Sequence, residues 1–443
     1  MGVSSRRELV AMLAASAVPA STAFAQRRNA ALEAAASPET LGFSSERLRK
    51  LDAAMARAVA DGQVKGMTTY LARHGKVVAF NTYGEAATGR PMTRDAIFRI
   101  YSMTKPITGV AMMILFEEGR WRLDDPVSRY IPEFANLKVA GGVDAQGRPI
   151  LEATKTPVTM RQLMSHTGGF GYGYPDEGEL GKQFNDRGVM SSNGLQEMID
   201  KLAALPLLNQ PGERWRYSVS VDIQGYLVQK LSGQPFGQFL QERIFAPLRM
   251  SDTAFHVAGD RAQRLARVYV WDAERRRLTE QTQTPRGGPP HDYTRPPPFE
   301  SGGGGLISTT SDYARFCQMI LNGGELDGAR ILSPASVELM GANAIPDRLM
   351  VNTNGGGLIP INQHVGFGMD FMLMLDPRRA GTLEGKGTMS WGGAAGTWFW
   401  IDPQNDLFFV GMIQRMGDAS PAWPSLPALS RTLVYQALLE PQR

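Results

Sequence analysis

Cysteine is almost absent from this chain. A single residue, Cys317, stands among 443, which excludes an internal disulfide framework and any cysteine-based zinc cluster. Its surroundings, YARFCQMIL, have helical apolar spacing and predict a buried structural thiol. Histidine is scarce as well: the five residues His74, His166, His256, His291 and His364 show no metal-ligand spacing. GxSxG elbows, HExxH helices, Walker A loops and EF-hand loops are all missing. A Ser-His-Asp hydrolase has no positive signal, although triad partners can lie far apart in a chain. No run of Lys and Arg interleaves with aromatics and the formal net charge is only +4, so nucleic acid is not expected as a partner. No segment beyond the N-terminus approaches a transmembrane length, so no stable membrane insertion is expected.

What is present begins with an export pattern. SSRRELVAMLAASAVPASTAFAQ carries the pair Arg6-Arg7, an apolar stretch rich in small residues, and AFA ending at Ala25. These are the parts of a cleavable signal, and the twin arginine suggests the Tat route, so residues 1–25 predict a periplasmic or secreted protein.

Beyond it, SERLRKLDAAMARAVADG (45–62) reads as an amphipathic helix with a serine cap and a glycine stop. Two β-rich runs then meet at His74-Gly75, a hairpin signal with His74 as a turn residue. From about Arg122 to Phe299 the pattern is mainly helical, broken by loops, and TPRGGPPHDYTRPPPFESGGGG has too much Pro and Gly for regular structure. It predicts a long surface loop. TSDYARFCQMILNGG reads as a helix capped by Asp312, and GTWFWIDPQNDLFFVGMIQ as two aromatic-rich strands around a DPQND turn. A final helix spans about Pro424 to Leu439. Strands at both ends with helices between predict an α/β fold of the α+β type. Residues 38–121 and 300–443 would form one discontinuous domain, an antiparallel sheet flanked by helices, and 122–299 a mostly helical one.

YSMTKPITG contains the chain's SxxK, Ser102 and Lys105, at the start of a predicted helix. One helical turn separates the two, so they share a face. By itself the pair could be a nucleophile with its base, but a capping serine with a surface lysine is the default for an isolated SxxK. Two further segments bear on the choice: GERWRYSVSVDIQGYLV, with Tyr217 after a turn, and GTMSWGGAAGTWFW, with Trp391-Gly392-Gly393 before a strand. A serine hydroxyl needs a neighbour to take its proton, and a lysine does so only when burial or nearby charge lowers its pKa. A tyrosine needs adjacent cations, and acyl transfer needs N–H donors aimed at the oxyanion. A glycine pair before an edge strand would let such a donor come close. Trp391 fits a pocket wall or a core aromatic. Tyr172 and Tyr174, in the glycine-rich loop after His166, fit a pocket lining or an exposed loop, and His166 fits a structural hydrogen-bonding role.

With these three motifs in order, the chain resembles the family VIII carboxylesterases, which share the fold of class C β-lactamases and penicillin-binding proteins. LDDPVSRYIPEF, LMSHTGGF, GGGGLISTTSDYARF and GTWFWIDP lie in the expected order, and the resemblance runs from about Thr40 to the last helix. It implies Ser102 as the acylated nucleophile, Lys105 and Tyr217 as its base system, and the N–H groups of Ser102 and Ala394 as the oxyanion hole. It implies a small-molecule ester as substrate and neither metal nor cofactor. Departures narrow this. Tyr217-Ser218-Val219 replaces the β-lactamases' Tyr-x-Asn, and Trp391-Gly392-Gly393 replaces their Lys-Thr-Gly. The lost cation is worth roughly 1.5–3 kcal/mol as a charge-assisted contact, so a neutral, apolar ester is favoured over a β-lactam carboxylate. The same acyl-enzyme chemistry would serve a β-lactam hydrolase, an amidase or peptidase acting on D-amino acids, or an acyltransferase. A non-enzymatic acyl-accepting sensor is the reading of another class.

Overall fold

Two alternating patterns on the same strands organise the structure. The computed structural model describes residues 32–34, 37–146, 149–283, 291–350, 353–355, 359–417 and 423–440. The predicted export signal lies outside them, as do residues 284–290 of the Pro/Gly-rich segment.

The central sheet takes β1 (Gly66–Arg73) and β2 (Lys76–Ala87) from the N-terminal part. Its other main strands come from the C-terminal part: β3 (Val365–Phe367), β4 (Met372–Met374), β5 (Met389–Gly392), β6 (Trp398–Asp402) and β7 (Leu407–Met412). Their order is β2-β1-β7-β6-β5-β4-β3, all antiparallel; beside β2, Arg90–Pro91 adds an antiparallel pair and Glu33–Ala34 a short parallel one. The join between the two ends of the chain is the β1–β7 ladder, from Leu407 opposite Arg73 to Met412 opposite Thr68. His74 and Gly75 both have positive φ, as a tight hairpin turn requires, and His74 Nδ1 lies 2.7 Å from Asp406 Oδ2 in the neighbouring turn.

Along β7, Phe408, Val410 and Met412 enter one core while Leu407 and Phe409 enter the other. On β6, Phe399 and Ile401 face the first and Trp398 and Trp400 the second. Both faces are covered, so these strands read as unbroken apolar runs. The second core is closed by α1 (Ser45–Ala60), through Leu48, Leu51, Met55 and Ala58, and by the C-terminal helix Leu426–Tyr435. The cap of α1 is Ser44, whose hydroxyl accepts the Arg47 N–H, one residue before the predicted start.

The larger core lies under α2 (Thr104–Glu117), α3 (Ser220–Ser232) and α4 (Thr310–Leu321). Cys317 is fully buried on α4. Contrary to the expectation from sequence, Asp312 does not cap this helix. Thr309, still extended at the end of a strand, is the cap and accepts the Asp312 N–H at 3.1 Å. The Asp312 carboxylate instead accepts the Asp252 N–H at 2.8 Å and the Thr253 hydroxyl at 2.9 Å. The middle of the chain is mainly helical and also holds two hairpins that the pattern did not reveal, Lys138–Val143 with Pro149–Ala153 and Tyr269–Asp272 with Arg277–Glu280. The Gly-rich end of the predicted surface loop is not at the surface. Gly302 and Gly303 are buried against α3, where a Cβ on Gly302 would lie 2.5 Å from the Val221 carbonyl oxygen. Among the described residues no helix is long and apolar enough to cross a membrane.

Trp400 is wholly enclosed between β6, Phe409 and the helical cover. Trp400→Ala should therefore lower unfolding free energy by about 3–5 kcal/mol in chemical denaturation, a value typical of an aromatic truncated in a packed core. A loss below 1 kcal/mol would contradict a core on this face.

Candidate active site

The strand Ile97–Arg99 ends in a turn that delivers Ser102 to the N-terminus of α2. Tyr101 holds φ at +43°, an unfavourable value for an aromatic residue, and Ser102 follows in a single 3-10 turn. Ser102 does not cap the helix with its side chain. Its Oγ instead accepts from the Tyr217 hydroxyl at 2.7 Å and from Lys105 Nζ at 3.3 Å.

Lys105 is not a surface lysine. It is 1% exposed and lies in the first turn of α2, whose first three turns are buried throughout. Its ammonium donates to the Gly303 carbonyl at 2.6 Å and reaches the Tyr172 hydroxyl at 3.4 Å. The charge also sits over the Tyr217 and Tyr172 rings, 4.6 and 5.2 Å from their centroids. Burial lowers its pKa to about 8, opposed in part by the charges of Asp222 and Asp370. Burial also raises both of those carboxyl groups, Asp370 well above the ordinary carboxylate range.

Asp222, on α3, accepts the hydroxyl of Ser301 and the Gly303 N–H at 3.0 Å. It thereby orients the carbonyl that holds Lys105. A Cβ at Gly303 would come 2.4 Å from Asp222 Oδ2, so only glycine lets the loop approach. Asp370 accepts from Gln224 Nε2 at 3.2 Å and lies against Gly109, one turn beyond Lys105. Neither acid was found in the sequence. Asp222 follows Tyr217 by little more than a helical turn, but Asp370 has no local signal.

Tyr217 is buried, and desolvation pushes its phenol well above the usual range. His166 clamps the segment that carries it. The His166 carbonyl accepts the Arg216 N–H at 2.9 Å, and its Nδ1 accepts the Ser218 N–H at 3.2 Å, so the ring proton lies on Nε2. Burial keeps the imidazole neutral. Tyr172 and Tyr174 pack edge to face at 5.6 Å and wall the Tyr217 ring. Glu177 fixes that wall by accepting the N–H groups of Tyr172 and Gly173.

Trp391 stands 5.4 Å from Tyr217 and 5.4 Å from Phe367, ring to ring, and is 7% exposed. The sequence reading set Trp-Gly-Gly before an edge strand; Trp391 and Gly392 are instead part of β5, an inner strand. Strand β4 pairs only with Met389 and Ser390, so Trp391 and Gly392 are bonded on the β6 side alone. At Gly393 a Cβ would lie 2.3 Å from the Ile100 carbonyl oxygen, so the Gly393 backbone packs against the turn that leads to Ser102. Among the described residues, no group of three or more His, Cys, Asp or Glu side chains is placed to hold a metal ion.

The protein-family description Beta-lactamase matches residues 51–425. Protein Rv1367c of Mycobacterium tuberculosis is 37% identical over 372 residues, covering 82% of this chain and 89% of that protein. Esterase EstB of Burkholderia gladioli is 29% identical over 368 residues, covering 79% of this chain and 86% of that protein. Among solved structures, EstCE1, a hydrolase with promiscuous acyltransferase activity, superposes with a TM-score of 0.71 at 25% identity, covering 88% of this chain and 98% of that one.

Gly393→Val should push the Gly393 backbone and the Ser102 turn apart. Labelling of Ser102 by a fluorophosphonate, followed by intact mass, is expected to slow about 10²–10³-fold, the scale of losing one oxyanion donor. Unchanged labelling would separate this contact from the chemistry.

Proposed function

This chain belongs to the Beta-lactamase family, and from that premise we propose that it is a serine carboxylesterase working through an acyl-enzyme on Ser102. The observation that carries the reading is the contact of Ser102 Oγ with both the Tyr217 hydroxyl, 2.7 Å away, and a buried lysine whose pKa falls to about 8. Lys105 in its neutral form takes the serine proton as Oγ attacks the ester carbonyl. The phenol of Tyr217, held protonated by burial, passes a proton to the departing alkoxide and is resupplied from the Lys105 ammonium. The N–H groups of Ser102 and Ala394 receive the oxyanion. Water then repeats the cycle on the acyl-enzyme. The aromatic wall of Trp391, Tyr172 and Tyr174 supports a neutral acyl or alcohol group, and the similarity to Esterase EstB supports the same chemistry.

Acyl transfer to an alcohol acceptor is the second reading, favoured by the likeness to EstCE1. It differs only in what resolves the acyl-enzyme, so added alcohol would yield a new ester at the expense of acid. The exported location rests on Arg6-Arg7 and the AFA site alone, and N-terminal sequencing of protein recovered from a periplasmic fraction would test it.

The decisive assay compares the protein with Ser102→Ala on a short p-nitrophenyl ester and a chromogenic cephalosporin. Ester turnover should vanish in the variant while cephalosporin turnover is slow in both. Turnover surviving in Ser102→Ala would put the nucleophile elsewhere.

The pH profile gives a second test. The working form of Lys105 is the free amine, so kcat/KM should rise tenfold per unit below about pH 8 and level off above it. Because the Asp222 charge raises the Lys105 pKa, Asp222→Asn should shift that inflection to lower pH. A profile flat from pH 6 to 9, or an unmoved inflection, would remove Lys105 as the base.

A further inference from the structure

A cavity of about 750 Å³ lies between the strand carrying Arg99, the Tyr269–Glu280 hairpin and the His291–Thr294 segment, with Tyr101 on its wall. Three arginines line it: Arg90, Arg99 and Arg267. Arg99 is 9% exposed, donates Nη1 to the Ala266 carbonyl at 2.7 Å, and stacks over the Tyr293 ring at 5.1 Å. Among the described residues no Asp or Glu oxygen lies within 4.0 Å of it. Arg90 donates to the Leu265 carbonyl at 2.7 Å, and its buried Nε has no partner among the described residues.

The acids on the wall pair with other groups, and only the field of Glu280 reaches Arg99. Glu280 faces Arg267 at 3.6 Å, and Asp292 accepts from the Thr294 N–H and hydroxyl and faces Arg295 at 3.6 Å. A guanidinium removed from water without a counter-charge is unfavourable, and its planar fork matches a carboxylate. The volume is that of a small-molecule site.

We propose that this chamber binds the carboxylate of a small organic acid, with Arg99 as the principal partner and Arg90 and Arg267 beside it. Tyr101 lines the same wall and is the residue before Ser102, so the carboxylate has two possible bearers: a free acid, or the far end of an ester held at Ser102. The second rests on the esterase reading. The first does not.

The test titrates the Ser102→Ala protein calorimetrically with adipate and with uncharged adipamide at low salt. Saturable binding of adipate but not of adipamide is expected, weakened at least tenfold in Arg99→Gln. Arg267→Gln, at a largely exposed side chain, should weaken it as well and guards against misfolding of the Arg99 variant. Turnover of monomethyl and dimethyl adipate by the unmodified protein then separates the two bearers. A preference for the monomethyl ester that Arg267→Gln abolishes assigns the chamber to substrate, whereas equal turnover with adipate binding intact assigns it to a separate acid. Absent adipate binding, or binding indifferent to both arginine substitutions, overturns the proposal. Failure to hydrolyse dimethyl adipate counts against the esterase reading alone, because the titration uses a chain without the nucleophile.

Discussion

An ammonium group with almost no access to water sits in the first turn of α2, and much of the surrounding structure answers the cost of keeping it there. Moving a lone charge into such a place is prohibitive, so the group must find partners or lose its proton. Lys105 does some of each. A carbonyl from the glycine-rich loop, two tyrosine faces and the field of two buried acids hold the charged form, while desolvation brings the neutral form within reach near pH 8. A lysine balanced in this way can accept a proton at ordinary pH, which an exposed lysine cannot.

The same demand explains features remote in the chain. Gly303 must be glycine because its carbonyl reaches Lys105 only if its backbone lies against Asp222. Asp222 is needed to hold that loop, and Ser301 completes its bonding. Tyr217 comes from yet another segment, and His166 grips the backbone on either side of it, through its carbonyl and its ring nitrogen. A neutral imidazole suits that task, since a protonated ring could not accept the Ser218 N–H.

The sheet supplies rigidity for this arrangement. Its β1–β7 ladder ties the two ends of the chain together, α4 rests on the face that also carries Phe399 and Val410, and α2 packs against α3 in the same core. Trp391 projects from β5 beyond the end of its neighbour β4 to meet Tyr217, and Gly393, the residue just after the strand, meets the Ser102 turn.

The local sequence determined what local physics decides: the amphipathic α1, the His74-Gly75 turn, the strands around DPQND, and the start of α2 with Ser102 and Lys105 on one face. It also placed Tyr217 and Trp-Gly-Gly in order, which was enough for the family and its fold. Where local rules compete, sequence reading erred: Thr309 caps α4 in place of Asp312 because the preceding strand ends there. The Gly-rich run looked like a surface loop because composition reports backbone freedom and not what a segment packs against. Only the tertiary structure decided that Lys105 is buried, that Asp222 and Asp370 adjust its charge, and that Arg99 faces a cavity with no acid of the described residues within 4.0 Å of it. These are properties of solvent exclusion and of distance through space, and they arise from segments up to several hundred residues apart.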